Sequence, residues 1–322
     1  MSVPEGLSSR QARRILITGG SGFIGSHLLP LLRSKGHVCL STTDVAGDLD
    51  AESTLLRLPD ESRCLEILGA FEPDVVLHLA GVSFVPDAEK DPLGATRVNV
   101  QGTLGLMNAL RDHDPAGRVL VVFASTAQVY DSRQGGILTE ESPLRPGNNY
   151  AATKLAAELV SGLCARADGR GAVVVRLFNS IGPGQRRDFV VSSFAYQVSR
   201  IERGASAPVL EVGNLSVARD FCDVRDIAAG LCLAAEGRVP SGTYNLASGT
   251  ATPMTVVLDH LRRLSARPFE VRVRESLLRT GETASLSGDA RKIHSCSGWK
   301  STVPLEQSIR DILEWWRERR DD

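Results

Sequence analysis

The sequence predicts an α/β fold: a doubly wound parallel sheet followed by a smaller C-terminal domain. Three observations carry this. Short apolar runs alternate with helical spacing over the first 178 of 322 residues. Those runs lack the apolar/polar alternation of half-exposed strands, as expected for a parallel sheet covered on both faces. Past Asn179 the texture changes, and Pro, Gly and Arg become frequent, as in IGPGQRRDF and VGNLSVARDF.

The elements follow in order. RRILITG, rich in β-branched residues, reads as the first strand. Helical spacing covers 23–35 and stops at Gly36, a C′ glycine. HVCLSTT is the second strand, and 61–71 a helix halted near Pro73. DVVLHLAG is a buried strand, 92–113 a long helix, RVLVVFAST another buried strand, 148–167 an alanine-rich helix, and AVVVRLFN the strand after it. Beyond these, 190–203, 225–236, 253–264 and 305–319 read as helices and GTYNLAS as a strand. The expected division is one unit over 12–178, to which the chain returns around 223–248, and a second over 179–222 and 249–322.

Composition excludes several classes. Lys plus Arg is 37 and Asp plus Glu 38, a net charge of −1, so no nucleic-acid surface built on bulk positive charge is expected. With 42% hydrophobic residues the chain is too apolar to be disordered. No apolar run approaches the ~18 residues of a membrane span. MSVPEGLSSRQARR has no apolar leader core, so a cytoplasmic protein is expected. The six cysteines (Cys39, Cys64, Cys164, Cys222, Cys232 and Cys296) form no CxxC pair and read as reduced packing residues. The histidines are scattered without HxxxH or HExxH spacing, so no metal site is expected.

TGGSGFIG, residues 18–25, lies between the first strand and the first helix. Gly20, Gly22 and Gly25 satisfy GxGxxG; Gly19, Gly22 and Gly25 satisfy GxxGxxG. Glycines there permit a tight turn and let backbone amides at a helix N-terminus meet a pyrophosphate, the mark of a Rossmann-type dinucleotide site. The end of the second strand then faces the adenosine ribose. Thr43 or Asp44 would stand at that selective place; an acid there favours NAD over NADP, although a solvated turn suits Asp44 equally well. The reading is NAD or NADP, with a lean to NAD.

Tyr150 and Lys154 are four apart near the start of a helix and share one face. A nearby ammonium favours the phenolate and so makes the phenol usable as an acid–base group. Ser125 and Thr126 end a buried strand, at the sheet edge where open α/β folds bind ligands. A hydroxyl there can hold the substrate oxygen on which the phenol acts.

With these residues on the page, the sequence resembles the extended short-chain dehydrogenase/reductase family, in its nucleotide-sugar branch. TGGSGFIG, HLAG, NVQGT, ASTAQVY, YAATK, RLFNSIGPGQ, RDFCDVRD and YNLASG occur in family order over nearly the whole chain. The segments GPGQ and GNLSVARDF look most like those of GDP-4-keto-6-deoxy-mannose reductases and GDP-mannose 4,6-dehydratases. The resemblance implies a catalytic trio of Thr126, Tyr150 and Lys154. It implies a cofactor held by Gly19, Gly22, Phe23, Ile24 and Gly25, by Leu79, Ala80, Gly81 and Asn99, and by Phe178. Thr43, Asp44, Leu58 and Ser125 are counted with that cofactor set. For a nucleoside diphosphate sugar, GDP-linked by preference, it implies Asn179, Val190, Asn214, Arg219 and Arg279; Ser83 either touches the sugar or serves its loop.

Departures qualify the expected activity. Dehydratases of this branch carry an acid two residues after the trio hydroxyl, and here stands Gln128, which cannot take a proton. Many of the reductases also have Glu there. Arg57 stands where relatives place an aspartate near the adenine. The expected activity is reduction of a 4-keto sugar nucleotide, with 4-epimerisation on tightly bound NAD as the alternative and dehydration or non-enzymatic dinucleotide sensing behind it. Family members dimerise through the helices ending near His113 and carrying Tyr150; the alanines Ala151, Ala152, Ala156 and Ala157 suit that homodimer or packing on the chain's own sheet. His78 and the tryptophans Trp299, Trp315 and Trp316 read as packing residues.

Overall fold

The computed structural model describes residues 12–49, 52–131, 133, 135–278 and 285–319. Its first strand, β1 (Arg14–Thr18), is buried from Ile15 onward and passes through the glycine turn into α1 (Phe23–Ser34). Next come β2 (Val38–Thr43), β3 (Ser53–Leu55), α2 (Glu61–Phe71) and β4 (Val75–His78). Asp60 starts α2 by accepting from the Arg63 amide at 2.9 Å, a side-chain cap. The long helix expected at 92–113 forms with a π turn inside it: α3 (Val85–Lys90) precedes it, and α4 (Pro92–Thr96) runs into α5 (Gly102–His113) through Arg97–Gln101. Such turns often mark functional positions, and this one carries Asn99.

β5 (Leu120–Thr126), β6 (Ile137–Leu138), α6 (Asn149–Ala167) and β7 (Ala172–Leu177) complete the first half. Beyond it lie β8 (Asn179–Ile181), α7 (Val190–Glu202), β9 (Val209–Val212), β10 (Ala218–Asp223), α8 (Val224–Ala235) and β11 (Gly242–Leu246). The chain closes with β12 (Ala251–Pro253), α9 (Met254–Leu264), β13 (Glu270–Val273), β14 (Ser285–Gly288), α10 (Arg291–Ser297) and α11 (Leu305–Glu318).

Seven strands form the main sheet in the order β11-β7-β5-β4-β1-β2-β3, every pair parallel. The chain moves outward from β1 to β3, then starts again at β4 and moves the other way. The carboxyl ends of β1 and β4 therefore flank the switch point where such sheets bind ligands. Strand alternation sends Ile15 and Ile17 to one face, with Leu28, Leu32 and Leu231, and Leu16 to the other, with Leu68, Leu106 and Leu110. A separate core of Phe194, Val198, Leu210, Val257, Ile309 and Leu313 holds the C-terminal elements together. β10 connects the parts: it pairs with β8, β12 and β14, and β14 pairs with β6 from the first half. Among the described residues no helix is long and apolar enough to cross a membrane.

Candidate active site

The glycine loop lies at the switch point. Gly19 has φ 70, and a Cβ there would stand 2.8 Å from the Ala80 backbone, so the end of β1 can press against the end of β4 only without a side chain. A Cβ on Gly25 would run into the Gly20 carbonyl. Gly22 begins α1, and no side chain caps the helix. The first amides of α1 thus lack intrahelical acceptors and face outward with the positive end of the helix dipole. That donor set fits the pyrophosphate of a dinucleotide.

A cavity of about 2060 Å³ opens from this loop. It exceeds the ~1,000 Å³ upper range for one small ligand and so has room for two. Gly19, Gly22, Phe23, Ile24 and Gly25 line it, with Asp44 and Leu58. Leu79, Ala80, Gly81, Ser125, Thr126, Tyr150 and Phe178 line it as well. Ser83, Asn179, Val190, Asn214 and Arg219 complete these walls, most of them from the second half of the chain.

Three expected residues do not line the cavity. Thr43 is buried away from the cavity, and its Oγ1 accepts from the Val45 amide at 3.2 Å. Thr42 lines the cavity in its place and accepts from the Gly19 amide at 3.2 Å, because successive strand residues face opposite ways. Asn99 is buried and clamps a loop: its Oδ1 accepts from Val82 N at 2.8 Å, and its Nδ2 donates to Val82 O at 3.1 Å and Thr153 Oγ1 at 3.0 Å. Lys154 lies buried behind Tyr150 and is not a lining residue. Arg279 falls outside the described residues. Ser125 reaches the cavity wall, but its hydroxyl donates to Glu158 Oε2 at 2.7 Å.

Tyr150 sits on the first turn of α6, where Asn148 caps the helix by accepting from Ala151 N at 2.8 Å. Its hydroxyl lies near the Thr126 side chain at the end of β5. Burial pushes the phenol's pKa up, and the nearby Thr126 hydroxyl opposes that. One turn along α6, the Lys154 ammonium lies 4.5 Å from the centre of the Phe123 ring. Burial pulls the Lys154 pKa down to about 8, against the upward pull of Glu158. His78 bridges Thr18 at 2.7 Å and Thr103 at 3.0 Å, and burial lowers its pKa to about 3, so it is a neutral packing residue. The cluster can pass a proton from a phenol, donate a hydroxyl hydrogen bond, and hold a positive charge beneath both.

Gln128 lines the same region, and its Oε1 accepts from Asn148 Nδ2 at 3.0 Å. An amide in that place can hold a ligand but cannot titrate. Other lining groups carry no signal in the sequence because they meet only across the crevice. Phe84 packs edge-on against Phe189 at 5.2 Å, and Arg186 pairs with Asp87 at 3.3 Å. Arg57 lines the cavity with Asp44, and its Nε donates to the Asp44 carbonyl at 3.0 Å. Trp299 is a packing residue whose indole N–H donates to Asp226 O at 2.8 Å. Among the described residues no cluster of His, Cys, Asp and Glu could hold a metal ion.

A parallel sheet with a glycine loop at its switch point, and a tyrosine and lysine one helical turn apart beneath the crevice, defines the extended short-chain dehydrogenase/reductase class. Residues 16–312 match the model of the GDP-mannose 4,6 dehydratase family, and the chain belongs to that family. It is 34% identical over 310 residues to the GDP-6-deoxy-D-mannose reductase of Pseudomonas aeruginosa, covering 95% of this chain and 98% of that one. The solved structure of RMD from Pseudomonas aeruginosa complexed with NADPH superposes with a TM-score of 0.79 at 31% identity, over 95% of this chain and 99% of that one. The UDP-glucose 4-epimerase of Thermus thermophilus, solved with NAD, gives a TM-score of 0.82 at 27% identity over 95% and 99%.

Proposed function

We propose that this protein is an NAD(P)H-dependent reductase acting on the C4 ketone of a GDP-4-keto-6-deoxy-hexose. The Tyr150 phenol beside Thr126 in the wall of a two-ligand cavity, with the Lys154 ammonium one turn along α6, carries that reading. A bound dinucleotide supplies the hydride. The chain's own groups do the rest: the Thr126 hydroxyl holds the ketone oxygen, Tyr150 delivers the proton to it, and the Lys154 charge lowers the cost of the phenolate left behind. Gly19, Gly22, Phe23, Ile24 and Gly25 hold the pyrophosphate, and Leu79, Ala80, Gly81 and Phe178 flank the nicotinamide. Asn99 acts on that region through the Val82 loop. Asn179, Val190, Asn214 and Arg219 hold the sugar nucleotide, with Arg219 suited to its diphosphate, and Ser83 lies at the sugar end. In this division 12–178 and 223–248 serve the dinucleotide, and 179–222 and 249–322 serve the sugar nucleotide.

Gln128 favours reduction over dehydration, since elimination of water needs an acid that the amide cannot be. The 34% identity to a GDP-6-deoxy-D-mannose reductase supports a GDP-linked substrate. A second reading, sugar 4-epimerisation with retained NAD, draws on the 28% identity over 327 residues to the UDP-glucose 4-epimerase of Halalkalibacterium halodurans. Asp44 would repel a 2′-phosphate and Arg57 attract one, so both NAD and NADP belong in the test. The outward leucines Leu104, Leu159 and Leu163 on α5 and α6 support a homodimer through these helices, and six free thiols suit a reducing cytoplasm.

The test is a thermal-shift panel of GDP-, UDP-, dTDP- and CDP-sugars with NADPH or NADH, followed by turnover of the best ligand. We expect GDP-sugars to stabilise most, with one reduced cofactor consumed per 4-keto sugar. A response to UDP-sugars alone overturns the substrate, and tightly held NAD without net consumption replaces the reductase by the epimerase.

A further inference from the structure

We infer that Glu158 is a positioning residue for Lys154: its carboxylate, pinned by Ser125 and Arg176, is the buried countercharge one helical turn away that keeps the ammonium cationic. The inference rests on the reading of Tyr150 and Lys154 given above.

Tyr150, Lys154 and Glu158 succeed one another at steps of four on α6, so all three share one face. All are buried, at 8%, 7% and 6% exposure. Glu158 is held on both oxygens. Ser125 Oγ donates to Oε2 at 2.7 Å, Arg176 Nε donates to both oxygens at 3.2 Å, and Arg176 Nη2 donates to Oε1 at 2.5 Å. Arg176 is fixed in turn. It donates to the Glu140 carbonyl at 3.1 Å and stacks 4.8 Å from the Tyr130 ring, whose hydroxyl donates to Asn245 at 2.7 Å. The carboxylate therefore has no freedom to swing toward solvent.

Groups on α6, β4, β5 and β7 set the charge close to Lys154. α6 brings Tyr150 and Glu158. β4 brings His78, which is neutral. β5 brings the Phe123 ring, Ser125 and Thr126, none of them charged. β7 brings Arg176, a second cation beyond the carboxylate. Among these groups Glu158 alone opposes loss of the lysine proton. Without it, two cations would share a dry region where an unpaired charge is costly. An ion pair serving only the core would not need the Ser125 hydroxyl turned from the cavity wall toward a carboxylate one turn beyond Lys154.

The test is Glu158→Gln in the full chain, which keeps the shape and the acceptor for Arg176 but removes the charge. Carbon-13 NMR of the lysine ε-carbons, with Lys154→Met assigning the signal, follows the ammonium without any substrate. We expect the Lys154 midpoint to fall by at least about one pH unit, and the alkaline limb of kcat/KM to move down with it. An unmoved midpoint in a folded variant, with activity lowered equally at all pH, overturns the inference. If Glu158→Gln does not fold, Glu158→Asp decides. It keeps the charge one methylene further off and should lower the midpoint by part of that unit; no movement overturns the inference equally. Absence of turnover with every sugar nucleotide strikes the proposed function instead, because the NMR midpoint is read without it.

Discussion

Asn148 Nδ2 donates to Gln128 Oε1 at 3.0 Å, while Asn148 Oδ1 caps α6 through the Ala151 amide at 2.8 Å. The residue standing where a dehydratase has its acid is thus a neutral amide tied to the helix that carries Tyr150. We expect the native protein to release no water from GDP-mannose, as read by mass spectrometry of the sugar nucleotide. Gln128→Glu keeps the Asn148 bond and adds a titratable group at an exposed position. It should change stability by about 0.5 kcal/mol or less and be the variant in which elimination first becomes detectable.

Tyr150→Phe removes the proton donor and leaves the ring. Turnover should fall by about 10²–10⁴-fold, with the cofactor Kd from fluorescence titration changed little. Thr126→Val removes the hydroxyl beside Tyr150 and should cost about 10–100-fold in kcat/KM, the span of one hydrogen bond to a developing charge. Near-native turnover in Tyr150→Phe would refute the proton-donor role.

Lys154 sets activity and stability against each other. Its folded pKa, about 8, lies below the unfolded value of 10.5. Between those values the unfolded chain holds the proton and the folded one does not, so this group's contribution to stability rises with pH there. Activity should instead fall as pH passes about 8, because the ammonium is lost. We expect Lys154→Met to melt several degrees above the native protein near pH 7 and to lose that advantage by pH 10.5, while being inactive throughout. Paired melts across that range separate Lys154 from the buried thiols of Cys39, Cys64 and Cys232, whose pKa values burial raises.

Gly25→Ala places a methyl against the Gly20 carbonyl. The loop must open to accept it, and dinucleotide affinity should fall at least about tenfold, the equivalent of 1.4 kcal/mol. Isothermal titration with NADPH and NADH measures this directly. Unchanged affinity for both would remove the glycine loop from the cofactor site.

Asn99 reports on the same site from behind. Asn99→Ala leaves the Val82 amide and carbonyl without the side chain that satisfies both. Fully buried orphaned groups cost about 1–3 kcal/mol and these half-buried ones less, so the melting temperature should fall modestly. The Ser83–Phe84 segment next to Val82 should exchange its amide hydrogens faster, as hydrogen-exchange mass spectrometry would show.

The main sheet is legible in the sequence because its strands are buried on both faces. Ile15, Leu16 and Ile17 form an unbroken apolar run only because each side of β1 meets a helix layer. Tyr150 and Lys154 are legible for a different reason: helix geometry is local, and a step of four puts them together before anything else folds. Short strands such as β6, β8 and β14 leave no such trace. They have two to four residues and pair across more than 40 residues of chain, and β8 and β14 include polar positions.

The site shows the same boundary at single residues. Whether Thr42 or Thr43 faces the cofactor depends on one position of strand phase, set by the pairing of β2 with β1. That Asn99 serves Val82, and that the Ser125 hydroxyl serves Glu158, depends on partners 17 and 33 residues away. Sheet class, glycine turn and helix spacing follow from interactions between near neighbours along the chain, so residue order is enough to state them. Which side chain meets the ligand and which one holds its neighbour follows from contacts that exist only after distant segments pack.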